Sequence, residues 1–160
     1  MKIQIFSVGG TIDKEYFDQK SRYEVGEPKI AEILQEANVS VGYRIESLMK
    51  KDSLEMKAED RRQIVERVRQ ARAEKLLITH GTDTMVATAR ELGAVADKTI
   101  VLTGALAPAR FKSSDAAFNI GCAFAAVQVL PAGVYIAMHG RIFDPEHARK
   151  NLEQNRFEEI

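Results

Sequence analysis

Short apolar, β-branched runs alternate along this chain with longer segments of helical period, and that alternation limits the possible folds more than any single residue does. Residues 3–8, 43–49, 76–79, 99–103 and 134–138 read as buried strands. Between them, the apolar positions Ile30, Ile33, Leu34 and Ala37 behind Pro28, and Ala58, Ile64, Val65, Val68 and Ala71 within 57–73, fall on single helical faces. So do Met85, Val86, Ala89 and Leu92 in the segment 84–96. Strand and helix units of this length predict an α/β fold, a mostly parallel open sheet with helices on both faces. At 160 residues the chain suits one well-buried core, so a single domain, 1–160, is expected.

Lysine plus arginine equals aspartate plus glutamate at 23 each, so no basic field argues for nucleic acid or a membrane surface. The lone Cys122 has no partner for an internal disulfide, and Met1 opens directly onto an apolar strand, which makes the cytoplasm the expected location. The predicted helix 115–130 carries Phe118, Ile120, Cys122, Ala123, Phe124, Ala126, Val127 and Leu130 on all sides, though Asn119 and Gln128 interrupt it. Such a helix needs cover on most faces, so a homo-oligomer is expected, with Cys122 in the core.

Two turns carry the chemistry. Gly9-Gly10-Thr11-Ile12 follows the first strand, and Thr79-His80-Gly81-Thr82-Asp83-Thr84 follows another. Each sets hydroxyls and glycines where an open sheet delivers its strand ends, the crevice in which such sheets bind small ligands. The Walker lysine and the third glycine of the dinucleotide fingerprint are both missing, so a nucleotide is not indicated. Thr82 or Asp83 would serve as a helix cap, but two threonines and an aspartate at a helix start also suit a substrate with an amine and a carboxylate. His80 reads as a buried, hydrogen-bonded side chain. Asp52 and Ser53 read locally as a loop and cap, and Lys150 as a solvated lysine in a polar tail, 139–160. Residues 11–26 have no period and the length of a lid loop. His80, His139 and His147 lack ligand spacing, so no metal is expected.

Taken together, Gly9-Gly10-Thr11-Ile12, Tyr23-Glu24-Val25-Gly26, Asp52-Ser53-Leu54-Glu55-Met56, Thr79 to Met85, Gly104-Ala105-Leu106-Ala107-Pro108, and Asp144 with Lys150 resemble the bacterial-type asparaginase family over nearly the whole chain. The resemblance implies hydrolysis of L-asparagine to aspartate and ammonia through an acyl-enzyme, with no cofactor. It implies Thr11 as nucleophile, Tyr23 on a mobile lid beside it, and a proton-transfer cluster of Thr82, Asp83 and Lys150. Substrate binding would fall to Ser53, Asp52, Asp83, Gly10 and Ala105, and backbone amides near Thr11 and Thr82, with Ala105 nearby, would face the oxyanion. Members of the family are usually about twice as long, with a second domain that donates an acidic group to a neighbouring protomer's site. The expectation here is the short form without that domain, and Leu54 stands where the family often has glutamine.

Other readings of the same crevice are an amidohydrolase acting on glutamine, D-asparagine or a charged transfer RNA, the last disfavoured by the neutral charge. A non-catalytic amino-acid-binding module and one half of a two-chain enzyme are two more. A binding module has no need of a nucleophile and its proton relay.

Overall fold

Side chains of the first strand alternate across the sheet, Ile3 and Ile5 to one face and Phe6 and Val8 to the other, and this period of two divides the protein into layers. In chain order the elements are β1 (Lys2–Gly9), β2 (Lys14–Phe17), β3 (Arg22–Val25), α1 (Ile30–Glu36), β4 (Gly42–Lys51), α2 (Ala58–Gln70), β5 (Lys75–Thr79), α3 (Met85–Leu92), β6 (Thr99–Thr103), α4 (Ala116–Val129), β7 (Gly133–Met138), β8 (Arg141–Phe143), β9 (Ala148–Asn151) and β10 (Arg156–Glu159). The computed structural model describes residues 1–95 and 97–160. Six strands form one sheet in the order β4-β1-β5-β6-β7-β8, parallel except for β8, which runs antiparallel to β7.

Both faces are covered. Ile30 and Leu34 of α1 and Ile120, Ala123, Phe124 and Val127 of α4 pack with Ile3, Ile5, Leu77 and Val101 on one face. On the other, Ile64 and Val68 of α2 and Met85, Ala89 and Leu92 of α3 join Phe6, Ile78, Leu102, Phe143 and Phe157. The three-layer α/β architecture is the one the alternation predicts. Among the described residues no helix is long and apolar enough to cross a membrane.

Four expectations are corrected. The segment 11–26 is a hairpin rather than a loop: β2 and β3 pair antiparallel with Tyr16 opposite Tyr23, and Ser21 turns the chain in the left-handed region at φ 50°. Strands of four residues are too short to show a period. The polar tail 139–160 contains β8 and the β9–β10 hairpin, each of which buries only one or two side chains, Phe143, Ala148 and Phe157, so no hydrophobic pattern marks them. The helix expected over 84–96 ends at Leu92, and Ala96 lies outside the described residues. Cys122 is half-buried rather than core, and α4 leaves Phe118 and Val129 exposed, so the helix is covered on one side only.

The topology also fixes where a ligand fits. From β1 the chain crosses through α1 to β4 on one side, whereas from β5 it crosses through α3 to β6 on the other. The carboxyl ends of β1 and β5 therefore flank the switch point of the sheet, where open α/β sheets open a crevice.

Candidate active site

Glycines let the strand-end turns meet at that switch point. A Cβ on Gly10, which sits at φ 89°, would lie 2.5 Å from the Gly81 Cα and N. A Cβ on Gly81 would lie 2.6 Å from the Ser53 Cβ, and one on Gly104 would overlap the His80 carbonyl oxygen. The turns after β1, β4, β5 and β6 are thus in backbone contact, which only residues without a side chain allow. Thr11 and Thr82 each follow one of the touching glycines, at the ends of adjacent strands.

Lys150 enters this cluster from β9. Its Nζ donates to Thr82 Oγ1 at 2.8 Å and to Asp83 Oδ1 at 2.7 Å, with the lysine side chain only 10% exposed. The hairpin that carries it is fastened from the interior: Phe157, opposite Lys150 in the β-ladder, is buried, and Arg90 of α3 donates to the Pro145 and Ala148 carbonyls. Thr82 and Asp83 do not cap α3. Thr84 occupies the N-cap position, and its hydroxyl donates instead to the Ser53 carbonyl at 2.9 Å. The hydroxyl and carboxylate expected to compete for capping are turned to the lysine.

His80 stands behind this turn, fully buried. Its Nδ1 lies 2.7 Å from the Gly81 carbonyl, which can only accept, so Nδ1 carries the hydrogen and Nε2 accepts from Thr88 Oγ1 at 2.8 Å. Burial pushes its pKa down to about 4, so the ring is neutral and holds the Gly81 peptide in orientation. Sequence reasoning reads His80 as structural, and the geometry agrees.

Asp52 accepts from Leu54 N at 3.1 Å, capping the short 3-10 turn Ser53–Glu55, and pairs with Lys14 of the β2–β3 hairpin at 2.7 Å. Burial pushes its carboxyl up, but Lys14, the Leu54 amide and the charge of Lys150 together hold it below the usual range. Ser53 is 1% exposed, and its Oγ has no hydrogen-bond partner among the described residues, an unmet donor at the centre of the crevice.

Ala105 is buried at the β6 end of the crevice. The loop after it is held by Asp115, whose carboxylate accepts from Leu106 N at 3.0 Å and Ala107 N at 3.1 Å. Asn119 joins Gly104 to the end of β7 by donating to the Gly104 carbonyl and accepting from His139 N. Asn119 is a supporting residue that the sequence marked only as a polar break in an apolar helix; a buried amide at such a place signals satisfied hydrogen bonds. Tyr23 is not gathered in. Its ring packs between Tyr16, at 5.4 Å, and Phe111, at 5.8 Å, and it is 49% exposed with no hydrogen bond from its hydroxyl among the described residues. The Thr11 hydroxyl is likewise unpartnered among those residues, and a cleft of about 350 Å³ lined by Lys14, Tyr23, Lys50, Asp52 and Glu55 runs beneath the hairpin.

A parallel α/β domain whose switch point joins two threonine turns, a serine and a lysine–aspartate pair is the architecture of an asparaginase N-terminal domain. The family model described as "Asparaginase, N-terminal" matches residues 2–158, and the chain belongs to that family. The structure is similar over its whole length to the thermostable L-asparaginase from Thermococcus kodakarensis, with TM-score 0.87 and 26% identity, covering 51% of that chain. In sequence it is 46% identical over 74 residues to a component of the glutamyl-tRNA(Gln) amidotransferase of Methanococcus vannielii, spanning 45% of this chain and 17% of that protein. It is also 35% identical over 96 residues to the glutaminase-asparaginase of Acinetobacter glutaminasificans, spanning 57% of this chain and 29% of that protein. The chain thus spans about half the length of the solved structure, and the alignments cover less of the curated relatives.

Proposed function

We propose that this chain is an amidohydrolase that releases ammonia from the side-chain amide of a small amino acid, with L-asparagine the preferred substrate. The observation that carries the reading is the contact of Lys150 Nζ with Thr82 Oγ1 and Asp83 Oδ1 beside the turn that bears Thr11. In the proposed reaction Thr11 Oγ attacks the amide carbon and its proton passes to a neighbouring base. The tetrahedral oxyanion is met by backbone amides of the joined turns, ammonia leaves carrying that proton, and an ester remains on Thr11. A water then attacks the ester carbon, gives its proton back to Thr11 Oγ and frees aspartate. A lysine held between a hydroxyl and a carboxylate supports proton transfer to and from water and Thr82.

Substrate placement follows from unmet groups. The buried, unpartnered Ser53 hydroxyl supports a contact to the α-carboxylate, and the Asp83 oxygen not facing Lys150 supports one to the α-amine. Exposed Phe118 and Val129 on α4 support self-association.

Ammonia release from L-asparagine and L-glutamine by the purified chain tests the reading, beside a folded Thr11→Ala variant. Turnover that favours asparagine and vanishes in the variant is expected. Asparagine raising thermal stability without turnover would assign a binding module, and preference for glutamine would move the substrate toward that of a glutaminase.

A further inference from the structure

Asp13, two residues after Thr11, is a charged side chain buried to 1% exposure, and every hydrogen-bonding group it has is engaged. Its N–H donates to the Gly10 carbonyl at 3.2 Å, closing the turn that presents Thr11. Its carbonyl accepts from Gly26 N at 2.8 Å, where the chain leaves the hairpin. One carboxylate oxygen accepts from Ser7 Oγ of β1 at 3.1 Å, and the other from Lys29 N, just before α1, at 2.9 Å. One residue therefore ties the sheet, the Thr11 turn and the far root of the lid.

The lid's other ties differ in kind. Lys14–Asp52, half-buried, and Lys50–Glu27, exposed, are ion pairs to the region of β4, and Lys20–Glu24 and Arg22–Glu24 lie within the hairpin; such pairs are screened by salt and weak singly. The charged groups facing Asp13 are Lys29, whose ammonium is turned to Glu15, and Glu15 itself, which Arg110 approaches at 4.0 Å. None of these reaches the buried carboxylate by a direct ion pair, and burial raises its pKa to about 6 despite the hydrogen bonds from Lys29 and Ser7.

We propose that Asp13 is a positioning residue that locks the root of the lid to the Thr11 turn, so that hairpin and nucleophile move as one unit. This rests on the reading of Thr11 as nucleophile only for its catalytic consequence; the lock itself is a property of the free chain. Burial raises the pKa of this carboxyl to about 6, so the locked state takes up a proton that the opened state, with the carboxyl in water, does not, and the lock tightens as pH falls.

Amide hydrogen exchange of the intact chain without substrate tests the lock, read as protection factors at Asp13, Gly26 and Lys29, with Leu77 and Val101 in the sheet as controls. Asp13→Ala is expected to lower protection at Gly26 and Lys29 by about 10-fold or more with the sheet unchanged, and Asp13→Asn, which keeps an acceptor oxygen and a donor to Ser7, by less than about 3-fold. In the native chain the same two amides gain protection as pH falls from 7 to 5, because opening returns the Asp13 carboxyl to water and to its ordinary, lower pKa, and in Asp13→Asn they do not. Should Asp13→Ala loosen the sheet as well, the pH dependence in the native chain against Asp13→Asn decides. Equal protection in the native chain and an intact Asp13→Ala, or the same pH dependence in Asp13→Asn, overturns the lock whether or not the chain hydrolyses asparagine. With turnover present, kcat falls in Asp13→Ala more than KM rises, and Asp13→Asn restores most of it.

Discussion

The two sides of the crevice are built differently. On the β5 side Thr82 rests on a fully buried His80, on glycines that touch neighbouring backbone, and on a lysine delivered by a hairpin packed into the core. On the β1 side Thr11 sits in a turn followed by a hairpin that ion pairs and one buried carboxylate hold. Interior packing cannot shift by small amounts, whereas exposed ion pairs break readily. The side proposed to handle protons is thus the fixed frame, and the proposed nucleophile belongs to the side held less firmly.

The sharpest way to break this contrast is to remove chemistry from each side. Thr11→Ala is expected to lower ammonia release by at least about 10³-fold, and Lys150→Met by about 10²- to 10⁴-fold, as loss of a positioned proton donor or acceptor does. Calorimetry should find Thr11→Ala about as stable as the native chain, since its hydroxyl has no partner to lose among the described residues, and Lys150→Met less stable because Asp83 loses its ion pair.

Next in size is the glycine frame. Gly104→Ala drives a methyl group into the His80 carbonyl, and Gly81→Ala sets one against the Ser53 side chain. Each is expected to cost about 1–3 kcal/mol by denaturant unfolding. If Gly104→Ala costs no stability, the β5 side is not the rigid frame described.

Two buried titratable groups, Asp13 and His80, sharpen the contrast because their pH effects oppose each other. Asp13 has its pKa raised by burial to about 6, so the folded chain takes up this proton before the unfolded chain does, and the resulting stabilisation grows as pH falls from about 6 to about 4. His80 has its pKa lowered to about 4, so the stability of its neutral form is complete above about 6.5 and is lost as pH falls toward 4. Each effect is on the order of 3 kcal/mol. Asp13→Asn removes one of them, so its acid sensitivity should exceed that of the native chain progressively below pH 6, as followed by thermal unfolding. Smallest of all, Lys14→Ala should change stability by less than about 1 kcal/mol, and the change should shrink at high salt.

Sequence reasoning reached the sheet and helices because buried parallel strands such as residues 76–79 and 99–103 and an amphipathic helix such as α2 write their environment into their periodicity. It missed β2, β3 and the strands of the tail because elements of three or four residues with one or two buried side chains carry no period. Residues adjacent to glycine turns, Thr11, Thr82 and Asp83, were legible locally. Lys150 was legible only through the family resemblance, since its partners lie 67 and 68 residues away. Asp13 passed unnoticed as one acidic residue in a charged segment, because its burial depends on Ser7 and Lys29 converging on it.

The division of labour between the two sides is tested most directly by quenching the reaction with L-asparagine in acid and measuring the mass of the chain and its peptides. A mass gain of one aspartyl group on the peptide containing Thr11, absent in Thr11→Ala and accumulating in Lys150→Met, is the predicted result. An aspartyl group found on Thr82 instead, or full turnover persisting in Thr11→Ala, would contradict it.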